Sequence, residues 1–160
     1  MARPMPDWET PTGRTWILHS DSELFEQRVE FTPGSPFPPL HFHPGQAERF
    51  EVEQGAMLYV VEGKETRLEA GGILEVPAGA AHKARNASEQ EPAVVRWETR
   101  PALRSEAFFR TAASVAGSGT LASALMAHEY RDVFRVSGVR GLVVPLLAGL
   151  ARLLGRTLPG

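Results

Sequence analysis

The 160-residue chain contains no cysteine. That absence removes disulfides, thiolate nucleophiles and thiolate metal sites together, so any bound metal must be held by histidine and carboxylate. Neither sign of charge is in excess: 17 Lys and Arg against 19 Asp and Glu leave a net charge of −2. No basic field is present to attract nucleic acid, and no nucleic-acid partner is expected. The start, Met1 to Glu9, lacks the apolar segment of a secretory signal, and a cytoplasmic location is the default expectation. The uncharged stretch from Gly141 to Ala151 covers eleven residues. As a helix it reaches about 16 Å, roughly half a hydrocarbon core, and cannot span a bilayer. With Arg140, Arg152 and Arg156 around it, an interfacial helix is the lesser reading. Packing on the rest of the chain or across a dimer is preferred, and a membrane partner is not expected. No repeat or low-complexity tract stands out. The hydrophobic fraction of 42 % and charged fraction of 22 % are those of a globular domain with an ordinary core.

What is present is a regular beat of short β-prone runs. Residues 1–12, with three prolines, read as an arm, poorly ordered or lying across a neighbour. Strands are predicted over 14–19, 24–31, 40–43, 47–53, 57–61, 65–68, 73–76, 81–86 and 93–99, divided by Gly and Pro turn signals. Strands of this length and spacing, with no long helix between them, indicate an antiparallel sandwich or barrel over residues 13–100. After Pro101 the pattern turns helical. Helices are predicted over 103–115, over 121–136 with Thr120 as N-cap, and over a last segment to Leu154 with Pro145 in its first turn. Residues 101–160 are therefore read as a helical extension packed on the barrel or on a partner subunit.

The chemistry concentrates at His41-Phe42-His43-Pro44-Gly45-Gln46-Ala47-Glu48. Residues two apart on a strand share a face, so His41 and His43 present two imidazoles together. Pro44-Gly45 fits a reversal in which glycine takes a positive φ, returning the chain antiparallel with Glu48 beside the pair. A further ligand is needed from elsewhere, and the Pro77-Ala78-Gly79 turn re-aims a strand just before His82. By strand parity, Phe50, Val52, Met57, Tyr59 and Trp97 are the candidate cavity lining. His19 and His128 read as surface or packing residues, and Glu51 and Glu53 as solvent-facing.

The spacing His41-x-His43-x4-Glu48-x6-Gly55 resembles the first motif of the cupin superfamily, and Gly71-x5-Pro77-x-Gly79-x2-His82-x3-Asn86 resembles the second, fifteen residues on. One departure is Gly34: six residues separate it from His41, where the family's motif has five. The resemblance implies a mainly β fold, the cupin jelly-roll barrel, here followed by C-terminal α-helices. It implies His41, His43, Glu48 and His82 as the ligands of one divalent metal ion, and a homodimer.

Three imidazoles and one carboxylate suit Fe, Mn, Ni, Co, Cu or Zn rather than Mg or Ca, which take oxygen donors. Such a set leaves a divalent ion with net positive charge, favouring an anionic oxygen ligand. The expectation is an enzyme acting on a small oxygenated organic molecule by dioxygenase-like or Lewis-acid chemistry. The alternative is a non-catalytic cupin that binds or senses a small molecule. The fold itself does not choose between them.

Overall fold

The computed structural model describes residues 4–159. Ten strands come first: β1 (Trp8–Thr10), β2 (Gly13–Ser20), β3 (Phe25–Phe31), β4 (His41–Phe42), β5 (Ala47–Gln54), β6 (Ala56–Val61), β7 (Lys64–Glu69), β8 (Ile73–Val76), β9 (His82–Asn86) and β10 (Ala93–Arg100). Then follow α1 (Ser105–Val115), α2 (Thr120–Glu129), β11 (Arg135–Val136) and α3 (Gly138–Leu153). The strands form two antiparallel sheets, ordered β1-β2-β3-β10-β5-β8 and β11-β4-β9-β6-β7. They are the two layers of the expected jelly roll, with helices after it.

Alternation along β5 sets what faces inward. Glu48, Phe50 and Val52 are buried, while Arg49, Glu51 and Glu53 point outward as partly or fully exposed residues. Phe50, Val52, Met57, Tyr59, Val76, Ala93 and Val95 make one buried cluster between the sheets. Burial of such side chains contributes about 1.5–3 kcal/mol each. The crossing from β5 into the second sheet is made at Gly55, with φ of 73°. A Cβ there would stand 2.6 Å from the carbonyl oxygen of Pro92, so glycine is required for space as well as for conformation.

Asn86, buried at the end of β9, ties the loops at that end of the barrel. Its Nδ2 donates to the carbonyls of Phe31, Thr32 and Glu91, and its Oδ1 accepts from the Ser88 amide. The helical extension is anchored through Gln46. Its buried Nε2 donates to the carbonyls of Pro101 and Ala102 and to Ser105 Oγ.

Several expectations change. The stretch read as an arm contains β1, which pairs antiparallel with β2 from Trp8↔Thr15 to Thr10↔Gly13; Met1 to Arg3 lie outside the described residues. The helix predicted over 121–136 ends at Glu129, and Arg135–Val136 pairs with Phe42 and His41 instead. The apolar residues Val133 and Phe134 pack instead against Phe108, Val115 and Met126 of the first two helices. Thr120 is the first helical residue and not the cap; Gly119 is the N-cap, with φ of 89°. Pro145 lies inside α3 and not in its first turn. Its missing N–H leaves the Gly141 carbonyl without its helical donor, and the exposed position lets water serve instead.

Candidate metal centre

His41 on β4 faces His82 on β9 as a direct register pair. His43 follows β4, at the entry to the Pro44-Gly45 turn. Glu48 lies on β5, in the other sheet, so the turn does not close a hairpin between paired strands. It carries the chain from one sheet to the other, and Glu48 meets the imidazoles across the sandwich. Gly45 is not in the left-handed region, so this crossing does not draw on glycine's freedom. At Gly79, with φ of 82°, the amide donates to the carbonyl of His43 at 2.8 Å. The turn before His82 is thereby fastened to the segment bearing the first two histidines.

The three histidines are buried, and one ligand atom of each lies within 4.8 Å of the others. Glu48 Oε1 is 3.3 Å from His43 Nε2, and Oε2 is 2.7 Å from His82 Nε2. Each Nδ1 is already engaged by a backbone carbonyl: His41 with Pro39 at 2.8 Å, His82 with Ala80 at 2.9 Å, and His43 with Val133. The carbonyls fix the Nδ1–H tautomer and leave each Nε2 as the nitrogen free to ligate. The Trp97 indole N–H donates to Glu48 Oε1 at 3.0 Å and holds the carboxylate in place.

The electrostatics are those of a coupled buried cluster. Burial pushes His41 down to about 4, helped by repulsion from His82 and His43. Burial also works against charge on Glu48, but the imidazoles of His43 and His82 outweigh it and hold the carboxyl below its ordinary range. For His82 burial is again opposed, here by the contact with Glu48, and its pKa is raised.

The family model of the cupin domain matches residues 27–97, the segment that carries all four of these residues. The chain carries a cupin domain. An RmlC-like cupin from Shewanella frigidimarina superposes with a TM-score of 0.56 at 20 % identity, over 63 % of this chain and 88 % of that one, and shows the shared fold. The oxalate decarboxylase of Lactobacillus farciminis, in a formate complex, is similar at 25 % identity and a TM-score of 0.50, over 58 % of this chain and 30 % of that one. Among curated proteins, a probable oxidoreductase, virH, of Hypocrea virens is 51 % identical over 47 residues, which are 29 % of this chain. The match spans only 22 % of that protein's length.

The cupin cluster fits a metal ion. His43 Nε2, His82 Nε2 and Glu48 Oε2 are all buried and make no well-formed hydrogen bond, His82 Nε2 and Glu48 Oε2 meeting only each other at 2.7 Å, an arrangement that costs on the order of 1–3 kcal/mol per unsatisfied atom if nothing else binds there. Donors of this type, with every Nδ1 satisfied from behind, form the inner face of a coordination sphere.

A cavity of about 570 Å³ opens in front of it, walled mostly by apolar side chains. Phe50, Met57, Tyr59 and Trp97 line it, as does Ala84 beside His82. Val52 does not. It lies one inward position further along β5, opposite Val95, and is closed into the packed core. Much of the wall is not legible in the motifs. Trp8 comes from β1, and Phe108, Phe109, Met126 and Phe134 come from the helical extension. The signal present for these is the apolar periodicity after residue 101, which marks a face but not what it covers. Phe134 stacks on the His41 ring, with centroids 4.7 Å apart. His19 and His128 take no part; His19 is exposed and bonded to Asp21.

Proposed function

We propose that this cupin is a metal-dependent enzyme acting on a small, largely apolar organic molecule that bears an anionic or polarisable oxygen. His41, His43, Glu48 and His82 would hold one divalent transition ion of the Fe, Mn, Ni, Co, Cu or Zn group. When bound, such an ion supplies Lewis-acid or redox chemistry at a substrate oxygen. The observation that carries this reading is the convergence of three buried imidazoles at the wall of an apolar cavity, with the Glu48 carboxylate against two of them.

The chain's own residues divide the remaining work. The carbonyls of Pro39, Ala80 and Val133 orient the imidazoles, and Trp97 orients Glu48. The aromatic wall excludes water and receives the apolar body of the substrate. The similarity to an oxalate decarboxylase in a formate complex supports a small oxygenated acid as the reacting group. The local identity with a probable oxidoreductase supports a redox reaction.

One observation favours the second reading, a non-catalytic binding or sensing cupin. Apart from the histidines, Tyr59 is the one ionisable side chain among the described cavity-lining residues, and burial raises its pKa. No separate general acid or base stands ready. Metal analysis of the purified protein, then re-loading after chelation, tests the site. An absence of stoichiometric metal in both would overturn it. Turnover by loaded protein separates the readings, since a binding module retains ligand and yields no product. A homodimer is expected under either reading, and sedimentation velocity tests it.

A further inference from the structure

Helix α3 is turned inside out for a helix of a self-sufficient globular protein. Its contact with the rest of the chain is made by small residues: Ala148 and Ala151 are fully buried, against Leu125 of α2 and with Leu121 and Leu158 packed around them. Six of its eight large apolar residues face away, while Val144 and Leu147 are half-buried. Leu153 is 87 % exposed, Val139 79 %, Leu142 76 % and Leu146 73 %, with Val143 and Leu150 also exposed. At about 100° per residue these six positions fall within an arc of about 100°, nearly opposite the two alanines. The result is a continuous apolar stripe along a helix of 16 residues, about 24 Å long. A stripe of this kind marks an interaction surface.

The charges around the stripe identify its occupant. From Val133 to Gly160 there are four arginines and no Asp or Glu. Arg140 and Arg152 fall on either side of the stripe, and Arg156 follows the helix end. Among the described residues the ion pair of Arg152 is with Glu129, at 4.0 Å. A second copy of this helix fits poorly. Two-fold antiparallel pairing brings arginine toward arginine with no carboxylate on either helix to meet it. The stripe is also only about two heptads long, short of the three to four that sustain a coiled coil. An anionic lipid surface fits both features, taking leucine and valine into its acyl boundary and arginine at its headgroups. No helix among the described residues is long and apolar enough to cross a membrane, so the geometry is that of a helix lying in the surface plane.

We propose that α3 docks the protein peripherally onto anionic lipid membranes. The test is flotation of the full-length protein with phosphatidylcholine vesicles containing roughly one quarter phosphatidylserine, beside pure phosphatidylcholine vesicles. The protein is expected to float with the anionic vesicles and to be released by salt. Leu142→Ser combined with Leu146→Ser should lower the partition coefficient about tenfold or more. Arg140→Gln combined with Arg156→Gln should lower it about fivefold per charge. All four positions are exposed, and unchanged circular dichroism verifies the fold. Failure of the wild type to float, or equal binding to neutral vesicles, overturns the proposal. So does a dimer in sedimentation velocity that the leucine variant dissolves, which would assign the stripe to a second copy.

Discussion

His43 donates its Nδ1 proton to the carbonyl oxygen of Val133, ninety residues further along the chain. The next residue, Phe134, stacks on His41. Two of the three imidazoles are thus braced by the segment between α2 and β11, not by the barrel that bears them. The helical extension is therefore part of the candidate centre, although the family motifs end before it begins.

Phe134→Ala should consequently weaken metal binding by roughly tenfold or more, the range typical for loss of a group that orients ligands. Competition with a chromophoric chelator measures it. Unchanged affinity would reduce Phe134 to a piece of cavity wall.

Glu48→Gln keeps the shape of the side chain but removes the charge that raises the pKa of His82. Metal affinity should fall by about two orders of magnitude, and Trp97→Phe, which removes the hydrogen bond to Glu48, by about one. The ranking is the test: a larger loss from Trp97→Phe would show that the indole acts chiefly through packing.

Acid should destabilise the metal-free protein in a defined window. In the folded state burial keeps His41 neutral down to about 4, whereas the unfolded chain protonates it near 6.5. A depressed pKa contributes stability that is whole above 6.5 and is lost as pH falls toward 4, up to roughly 3 kcal/mol. Glu48, also depressed, adds stability present above 4.5 and lost on further acidification. His82, raised, contributes in the opposite sense: its share is complete below 6.5 and fades as pH rises through its folded value. Urea denaturation at about pH 7 and about pH 4.5 measures the difference, and His41→Gln should flatten it.

Gln46→Leu should cost about 2–3 kcal/mol, because three acceptors at the barrel–helix junction lose their donor. Calorimetry gives the loss directly. If the extension loosens, metal affinity should fall in the same variant, since Val133 and Phe134 depend on that junction.

The strands are readable because they are short β-prone runs, most of them set off by Gly or Pro turn signals, and alternation is clear in β5. Glu48, Phe50 and Val52 share the buried face of β5 as parity requires. Ligand spacing is equally local, since β4 and the turn at Gly79 each place a histidine within a few residues of the signal that announces it. What escapes is decided at long range. Val133 and Phe134 continue a helical stripe in sequence, yet an open β4 edge captures Arg135–Val136 as a strand. Proline punctuation is likewise overruled in α3, where Pro145 sits mid-helix because that face is exposed. Trp8 gives no local hint of reaching the cavity; pairing between β1 and β2 puts it there.

The cavity is built from two sources that vary separately. All four metal-ligating candidates belong to the barrel, while Phe108, Phe109, Met126 and Phe134 belong to the extension. Exchanging Phe108, Phe109 or Met126, none of which stacks on a ligating histidine, for smaller or more polar residues would redraw the shape of the chamber and leave the donor set alone. Such a division makes the scaffold evolvable: new ligands can be tried on one half while the other conserves the chemistry.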